Sequence, residues 1–181
     1  NLVVTLNQLE GFSVDTFDRT SDIKSLESKI SSVDAVVHLA GENRSKNNED
    51  FDIGNYQLTK SICLSIENLD KRIPVIFTST TQAEEDNPYG KSKLAAEIVL
   101  QALQKKKNNP VIIYRLPGVF GKWSKPNYNS VVATFCHNIA NKLPIKVNDP
   151  SKSIRLVYID DVIQSFVEVL KAPDQMAQWG S

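Results

Sequence analysis

A tyrosine and a lysine separated by four positions give the strongest chemical signal in this sequence. They stand in the run Pro88-Tyr89-Gly90-Lys91-Ser92-Lys93, which opens a predicted helix. Residues four apart share one face of a helix, so the phenol of Tyr89 and the ammonium of Lys93 would act at the same place. A positioned phenol can serve as a general acid or base. Because the spacing is also common by chance, a solvated helix start is the alternative interpretation.

A cluster of hydroxyl side chains precedes this pair. The run Phe77-Thr78-Ser79-Thr80-Thr81 stands at the end of an apolar segment. In a doubly wound sheet ligands bind at the carboxyl ends of strands, so these hydroxyls point to the expected crevice. There Thr80 would hydrogen-bond a substrate carbonyl and steady the Tyr89 hydroxyl. A Ser/Thr-rich loop that caps its own backbone is the alternative, but the order of strand, hydroxyl cluster and Tyr-x-x-x-Lys favours catalysis.

Short β-rich runs alternate with longer helical patterns along the chain. Continuous apolar runs indicate strands that are buried on both faces. The predicted strands are Leu2–Thr5, Ser13–Phe17, Ala35–Leu39, Val75–Ser79, Val111–Arg115 and Ile154–Tyr158. The predicted helices are Ser21–Ser31, Asn55–Leu69, Pro88–Gln104, Ser130–Asn141 and Ile159–Lys171. This alternation predicts an α/β fold with a doubly wound parallel sheet.

One junction does not fit this pattern. Only residues 6–12 separate the first two predicted strands, whereas parallel neighbours need a crossover of roughly a dozen residues or more. An antiparallel hairpin would remove the conflict. We favour instead a partial domain, in which a glycine-rich turn and the first helix are missing between Thr5 and Leu6.

The composition argues against several classes of function. Lys+Arg and Asp+Glu both number 21, so the formal charge is zero and gives no electrostatic footprint for nucleic acid or an anionic membrane. No apolar run approaches the roughly 20 residues that span a bilayer. The two histidines and two cysteines match no zinc-ligand spacing, so no metal site is predicted. We expect Cys63 and Cys136 to be reduced core thiols, which suits a cytoplasmic protein.

Together, these motifs resemble those of the extended short-chain dehydrogenase/reductase family, which includes NAD-dependent epimerases and dehydratases. The resemblance also rests on the runs Val36-Val37-His38-Leu39-Ala40-Gly41 and Arg115-Leu116-Pro117-Gly118-Val119-Phe120-Gly121. It implies a Rossmann-like NAD(P)-dependent oxidoreductase whose catalytic residues are Thr80, Tyr89 and Lys93. The residues that it places at the cofactor are Tyr89, Lys93, Leu39, Ala40, Gly41, Asn55, Pro117 and Val119. For Asn55 a helix cap or a surface position is the alternative, and His38 is interpreted as a packed strand residue.

A longer stretch resembles one branch of the family, the reductase domains of bifunctional enzymes of capsule and O-antigen synthesis. It comprises Gly121–Cys136 with Gln82-Ala83, Asp86–Tyr89 and Val147-Asn148-Asp149. This resemblance implies reduction of the C4 ketone of a UDP-linked 2-acetamido-2,6-dideoxy sugar. Residues 1–181 would form the NAD(P)-binding domain with part of the sugar-nucleotide-binding region, without the C-terminal cupin domain of such enzymes. The predicted substrate-binding residues are Thr80, Lys122, Lys125, Asn127, Tyr128 and Arg155.

The choice of cofactor depends on Asp18 and Arg19, which follow the second predicted strand. An acidic residue there favours the free ribose hydroxyls of NAD, whereas Arg favours the phosphate of NADP, so the motif alone is ambiguous. The branch that the chain resembles carries an Arg at the position of Arg19, which implies NADPH. Beside a nicotinamide, the Lys93 ammonium is expected to favour the phenolate and lower the pKa of Tyr89.

Two rival functions stay open at the level of sequence. A sugar-nucleotide epimerase with tightly held NAD would use the same Tyr and Lys, and a non-catalytic NADP sensor would use the same fold. Thr81-Gln82 stands where dehydratases of the family carry Asp-Glu after the catalytic Thr, which argues against a 4,6-dehydratase. Sensors often lose the Tyr-x-x-x-Lys pair that this chain keeps. The sequence identifies neither the exact sugar nor the oligomeric state, and a homodimer is compatible with it.

Overall fold

A computed structural model describes residues 1–172 of the chain. The chain divides into two compact units. The larger unit comprises Asp15–Arg115 together with residues 168–172, and the smaller unit comprises Asn1–Val14 and Leu116–Val167. All three predicted catalytic residues therefore belong to the larger unit.

The larger unit is built on a three-stranded sheet. Its strands, in spatial order, are β1 (Val36–His38), β2 (Val75–Thr80) and β3 (Val111–Leu116). β1 pairs with β2 in parallel, and Val36 lies opposite Val75. The helices of this unit are α2 (Leu26–Ser31), α3 (Asn48–Phe51), α4 (Leu58–Glu67) and α5 (Pro88–Lys107). Helix α4 lies on the connection from β1 to β2 and α5 on the connection from β2 to β3, as the crossovers of a parallel sheet require.

Three tighter or wider helical turns precede these helices. A 3₁₀ turn at Ile23–Ser25 leads into α2, a π-helical turn at Asp52–Gln57 leads into α4, and a 3₁₀ turn at Thr81–Glu84 follows β2. The last of these turns lies between Thr80 and Tyr89, and the π-helical turn contains Asn55. π-Helical turns are rare overall, but many of those known lie at functional sites. The π-helical turn at Asp52–Gln57 is therefore a candidate part of the site.

The hydrophobic core of the larger unit encloses β2. Residues 75–77 are 0–1% exposed, so the central strand is buried on both faces, as its continuous apolar run predicted. Ile66 of α4 with Leu100 and Leu103 of α5 are fully buried in the same cluster. Burying a side chain of this size contributes about 1.5–3 kcal/mol. This cluster holds in place the strand that ends at Thr80.

The start of α5 is determined by Asn87 and Pro88. The Asn87 side chain accepts a hydrogen bond of 2.7 Å from the Gly90 N–H, and Pro88 occupies the first turn, where its missing N–H needs no partner. The helix ends at Asn108, whose φ of 50° is left-handed. Three lysines precede Asn108, and their charges suit a helix C-terminus. The helix thus begins as predicted and extends to Lys107 rather than Gln104.

The smaller unit contains a second, two-stranded parallel sheet. Its strands are β4 (Gly118–Phe120) and β5 (Leu156–Tyr158), with Val119 opposite Val157. Its helices are α1 (Leu2–Gln8), α6 (Val131–Ala140) and most of α7 (Ile159–Lys171). Ser130 caps α6 by accepting a hydrogen bond of 3.2 Å from the Ala133 N–H. Asp160 and Asp161 lie in the first turn of α7, where negative charges suit the helix N-terminus.

The α/β architecture with parallel strands is confirmed, but the first predicted element is wrong. Leu2–Thr5 is not a strand: it belongs to α1, which continues without a break through Thr5 and Leu6. No glycine-rich turn separates Thr5 from Leu6 in residues 1–172, as the prediction of a partial domain requires. Leu2 and Leu6 are the buried residues of α1, one helical turn apart. The β-branched residues between them hid this helical spacing in the sequence.

The second predicted strand, Ser13–Phe17, also differs. Neither sheet formed by residues 1–172 includes this segment. A strand is stabilised by hydrogen bonds to a neighbouring strand, and among these residues the segment pairs with none. The apolar alternation of the segment was therefore insufficient evidence for a strand.

The two cysteines have different environments. Cys63 of α4 is buried as predicted, and burial, with a contribution from Glu67, raises the pKa of its thiol to about 12. The prediction for Cys136 is wrong, because this residue is exposed on α6, a helix with no fully buried side chain. Both are free thiols. Within residues 1–172, no helix has the length and apolar character needed to cross a membrane.

Candidate active site

The side chains of Thr80 and Tyr89 meet at the carboxyl end of β2. Thr80 is the last residue of this strand and is 7% exposed, while Tyr89 lies in the first turn of α5. The Thr80 hydroxyl lies close enough to the Tyr89 side chain to affect its pKa, so the two predicted residues are neighbours. Thr80 also accepts a hydrogen bond of 3.2 Å from the Gln82 N–H, so it caps the 3₁₀ turn as well. The capping alternative and the predicted contact are both present.

Gly90 permits this close approach. A Cβ at Gly90 would lie 2.2 Å from the carbonyl oxygen of Gln82 and 2.9 Å from that of Glu85. Any larger residue would push the start of α5 away from the 3₁₀ turn. Because Tyr89 immediately precedes Gly90, the glycine also controls how near the phenol comes to Thr80. Sequence reasoning missed this role, although the Tyr-Gly pair was a signal for it.

Lys93 is buried beside the same strand end. Its side chain lies at 5% residue exposure, and its Nζ donates a hydrogen bond of 2.6 Å to the carbonyl oxygen of Thr78. The ammonium also lies 4.1 Å from the centroid of the Phe77 ring, a cation–π contact. Burial lowers the pKa of Lys93 to about 8, and the negative charge of Glu97 opposes this lowering. Lys93 is thus a desolvated cation close to the predicted reaction site.

The pKa of Tyr89 shifts in the direction opposite to the one expected. Burial raises the pKa of Tyr89, and the neighbouring Thr80 hydroxyl opposes that rise. The predicted lowering by Lys93 is not observed, because burial is the largest influence on the phenol. With a raised pKa the side chain keeps its proton near neutral pH, as a general acid requires.

Asn55 ties the turn after β1 to the catalytic helix. It is 1% exposed in the π-helical turn, so neither the helix-cap nor the surface alternative describes it. Its Oδ1 accepts from the Glu42 N–H at 2.9 Å, and its Nδ2 donates to the Glu42 carbonyl at 2.9 Å and to Ser92 Oγ at 2.8 Å. Ser92 in turn donates to the carbonyl oxygen of Tyr89 at 2.7 Å. Asn55 therefore positions both the predicted cofactor loop and the start of α5.

His38 is a packed strand residue, as interpreted from the sequence. It is 3% exposed, and its Nε2 lies 2.9 Å from Thr59 Oγ1. Since Thr59 donates its own proton to the carbonyl oxygen of Asn55 at 2.6 Å, it must accept from His38 Nε2–H. Burial, with the nearby charge of Lys93, lowers the pKa of His38 to about 3. The imidazole is therefore neutral and supports the turn around Asn55.

The loop at the carboxyl end of β1 fits a dinucleotide. Leu39, Ala40 and Gly41 are exposed, and the loop approaches Lys93: a Cβ at Gly41 would lie 3.6 Å from Lys93 Nζ and 2.6 Å from Asn55 Oδ1. Only glycine fits at this position. The small residues leave the loop backbone open to a ligand, at the strand end where nucleotides bind in such sheets.

Arg19 lies beside the same loop, although it precedes β1 in the sequence. Its Nη2 lies 3.5 Å from Glu42 Oε2, and its side chain is 87% exposed. Asp18 instead binds its own turn, accepting hydrogen bonds from the Thr20 N–H and hydroxyl at 2.8 and 2.7 Å, which lower the pKa of its carboxyl. The exposed guanidinium is therefore the group with freedom to meet a phosphate. Loop 39–42 contacts both Lys93 and Arg19, the residues predicted for opposite ends of the dinucleotide.

The other predicted ligand contacts lie in the smaller unit. Pro117 follows β3 and Val119 is the middle residue of β4, while Arg155 immediately precedes β5. Lys122 forms an ion pair with Asp160 at 3.0 Å, and its Nζ lies 5.7 Å from the Trp123 ring centroid. The predicted sugar-binding residues of this segment are Lys122, Lys125, Asn127, Tyr128 and Arg155. Their contacts with a ligand stay predictions.

Sequence reasoning missed the polar network beneath the predicted catalytic residues. Glu97 is 1% exposed and accepts hydrogen bonds from Ser79 and Arg115. A signal was present, because Glu97 follows Lys93 by four positions, just as Lys93 follows Tyr89. Only Tyr89 and Lys93 were predicted to be functional on this face of α5, which also carries Glu97.

Comparisons with known proteins agree with this geometry. Residues 4–179 match the model of the NAD dependent epimerase/dehydratase family. A UDP-2-acetamido-2,6-beta-L-arabino-hexul-4-ose reductase of Pseudomonas aeruginosa is 50% identical over 94% of this chain and 46% of its own length. The capsular polysaccharide assembling protein CapF of Staphylococcus aureus shares 36% identity with a TM-score of 0.82, over 94% of this chain and 46% of that chain.

A more distant likeness supports the fold alone. The UDP-glucuronic acid 4-epimerase of Bacillus cereus, in complex with NAD, has a TM-score of 0.71 at 23% identity and covers 83% of this chain and 54% of that one. The chain spans about half the length of the curated reductase that it matches. The family match, in contrast, extends over nearly all of this sequence. The chain belongs to the NAD-dependent epimerase/dehydratase family.

Proposed function

We propose that this chain is the NAD(P)-binding part of a reductase that converts the C4 ketone of a UDP-linked 2-acetamido-2,6-dideoxy sugar to an alcohol, using NADPH, in the synthesis of capsule or O-antigen precursors. The observation that carries the proposal is the Tyr89 side chain beside Thr80, one helical turn from buried Lys93, in a chain 50% identical to a reductase of this substrate class. Residues 1–181 would comprise the cofactor domain and part of the sugar-nucleotide region. Reduced thiols and free nucleotide cofactors suit the cytoplasm.

Tyr89 is the proposed proton donor. A bound NADPH supplies the hydride for such a reduction. As negative charge develops on the C4 oxygen, the Tyr89 hydroxyl passes its proton to that oxygen, and the raised pKa of Tyr89 ensures that the proton is present near neutral pH. Thr80 donates a hydrogen bond that orients the same oxygen against the phenol. Proton transfer from a positioned group contributes about 10²–10⁴-fold to a rate.

Lys93 and the loop after β1 are the proposed supports for the cofactor. The Lys93 ammonium would donate to the hydroxyls of the nicotinamide ribose, while the exposed backbone of Leu39, Ala40 and Gly41 leaves room for the adenosine side. Arg19 would pair with the additional phosphate that distinguishes NADPH from NADH. Pro117 and Val119 would flank the nicotinamide.

The sugar nucleotide is assigned mainly to the smaller unit. Lys122 and Lys125 would neutralise its diphosphate, with Asn127, Tyr128 and Arg155 as further donors. Thr80 is the one proposed substrate contact in the larger unit. These assignments rest on the resemblance to the reductases and on the chemistry of the side chains.

The test is a stoichiometric assay of the whole protein with a UDP-linked 2-acetamido-2,6-dideoxy-hexos-4-ulose. Loss of NADPH absorbance in a one-to-one ratio with an alcohol product, identified by NMR, supports the reductase. Conversion of the sugar without net NADPH loss would instead indicate an epimerase. Cofactor binding with no conversion of any such sugar would favour a sensor and overturn the proposal.

The choice of NADPH has its own test. Replacing Arg19 by Ala should raise the KM for NADPH roughly tenfold and leave the KM for NADH unchanged, because only NADPH carries the additional phosphate on its adenosine ribose. Arg44→Ala, an exposed change on the loop beyond Glu42, is the matched control. Equal effects on both cofactors would show that Arg19 does not select NADPH.

A further inference from the structure

Three residues on one face of α5 contact three successive residues at the end of β2. Tyr89 lies beside the side chain of Thr80, Lys93 donates a hydrogen bond to the carbonyl oxygen of Thr78, and Glu97 accepts one from the hydroxyl of Ser79. The helix residues follow each other at intervals of four, so they share one face of α5. The third contact lies directly below the two proposed catalytic ones.

The Glu97 carboxylate also joins β3 to this arrangement. Arg115 of β3 donates from Nε to both carboxylate oxygens, at 3.1 and 3.2 Å, and from Nη2 to Oε2 at 2.7 Å. The remaining guanidinium nitrogen of Arg115 pairs with Glu84, on the exposed 3₁₀ turn. Glu97 is 1% exposed, and its neighbour Ser79 is 6% exposed. A buried carboxylate is retained only when such donors satisfy it, and here one carboxylate connects a helix and two strands.

We propose that Glu97 is a positioning residue of the candidate active site: its carboxylate holds α5 in register with β2, and its negative charge faces the ammonium of Lys93. The inference rests on the proposed function, since it assigns Glu97 a role in presenting Tyr89 and Lys93. The first part of this proposal, the register role, follows from the contacts of Ser79 and Arg115 with Glu97. The second part, the charge role, follows from the position of Glu97, one helical turn beyond Lys93.

The charge of Glu97 has a measurable consequence at Lys93. Burial lowers the pKa of Lys93 to about 8, and Glu97 opposes that effect. The charged or titratable groups that interact with Lys93 are His38 on β1 and Glu97 on α5, while Arg115 of β3 binds Glu97. Of these groups Glu97 is the carboxylate, and its removal should let Lys93 lose its proton at a lower pH.

The first experiment follows Lys93 directly, without substrate or cofactor. Protein labelled with [13Cε]lysine is titrated by NMR, and the Lys93 resonance is the one missing in Lys93→Arg. In Glu97→Gln the Lys93 midpoint should fall by at least about 0.5 pH unit. Glu84→Gln is the matched control, because it removes the exposed carboxylate partner of Arg115 and leaves Glu97 in place; it should titrate as the wild type does. If Lys93 titrates in Glu97→Gln with the same midpoint as in the wild type, the charge role is overturned.

The second experiment tests the register role of Glu97 and remains informative if Glu97→Gln does not fold. Ser79→Ala keeps the carboxylate and removes its tie to β2. It should lower kcat on the order of tenfold with little change in the KM for NADPH, and leave the Lys93 titration unchanged. An unchanged kcat would contradict the register role. If the wild-type protein reduces no UDP-linked ketosugar, the proposed function fails, while the NMR titration still decides the role of Glu97.

Discussion

The two units of this chain differ in how firmly they hold the side chains assigned to function. In the larger unit, Thr80 and Lys93 are 7% and 5% exposed and are bonded to partners within that unit. In the smaller unit, Leu156 and Tyr158 of β5 are 42% and 38% exposed. The first region has a core on both sides of its central strand, whereas the second presents much of its sheet to solvent.

This difference suggests a division of labour. Proton transfer depends on the position of a few atoms to within a fraction of an ångström, which a packed, hydrogen-bonded region provides. Recognition of a charged diphosphate by lysines tolerates longer, more exposed side chains. The candidate catalytic residues accordingly lie in the buried network, and the candidate sugar-binding residues lie in the exposed region. The first three predictions below change one residue in the larger unit and a counterpart in the smaller one, and the last compares two lysines of the smaller unit.

The largest effect is expected from Tyr89→Phe. The change removes the proposed proton donor and keeps the ring, which packs with its centroid 6.0 Å from that of Phe51. We expect kcat to fall by about 10²–10⁴-fold while NADPH binding, measured by fluorescence titration, is retained. Tyr158→Phe, the same change on β5, should keep wild-type turnover. Comparable losses in both variants would contradict the assignment of proton transfer to the larger unit.

Replacing Asn55 by Ala should lower the free energy of unfolding by about 2–4 kcal/mol, because it leaves the N–H and carbonyl of Glu42 without their partner. The counterpart is Asn141, whose exposed amide donates to the carbonyl oxygen of His137 at 2.8 Å. Asn141→Ala should change stability by less than about 1 kcal/mol. Urea unfolding followed by circular dichroism measures both. Equal losses would show that the turn around Asn55 is no more tightly held than the exposed helix end.

The buried histidine of the larger unit should make the free energy of unfolding depend on pH. Burial lowers the pKa of His38 to about 3, from 6.5 in the unfolded chain, so between these values the unfolded state binds more protons. Stability therefore rises with pH across this window and is lost as the pH falls below 6.5, by at most about 1.4 kcal/mol per pH unit.

Unfolding at pH 6.5 and at pH 5 tests this dependence. The wild type should lose up to about 2 kcal/mol between the two, and His38→Gln should lose clearly less because it has no proton to take up at this position. His137→Gln, on exposed α6, should keep the wild-type loss. An unchanged loss in His38→Gln would mean that the buried imidazole does not govern acid stability.

The sequence was most informative where short-range pattern and tertiary packing agree. The apolar run before Thr80 predicted a strand buried on both faces, and the helical pattern from Pro88 with the spacing of Tyr89 and Lys93 predicted α5 and the face that these two residues share. In each case the local signal is the cause of the structure, since a cap, a proline and a continuous apolar run act on their own neighbours.

The sequence was least informative where structure depends on distant partners. Val3, Val4 and Thr5 have strand propensity, but the burial of Leu2 and Leu6 determines a helix. The direction of the pKa shift of Tyr89 depends on its burial in the folded chain, and spacing along a helix does not specify that burial. Glu97 lies on the predicted face, but its pairing with Arg115 on another strand requires the fold.

The smallest effect is expected from Lys125→Ala in the smaller unit. One exposed lysine near a diphosphate contributes about 1 kcal/mol or less, so the KM for the UDP-sugar should rise roughly threefold to fivefold with kcat unchanged. Lys152→Ala, an exposed lysine elsewhere in the same unit, should change neither constant. A rise in KM alone means that the side chain binds the substrate equally in its ground and transition states, as expected of a group remote from the reacting carbon. A fall in kcat of the size expected for Ser79→Ala would instead mean that the exposed region also aligns the reacting atoms, and the division between the two units would fail.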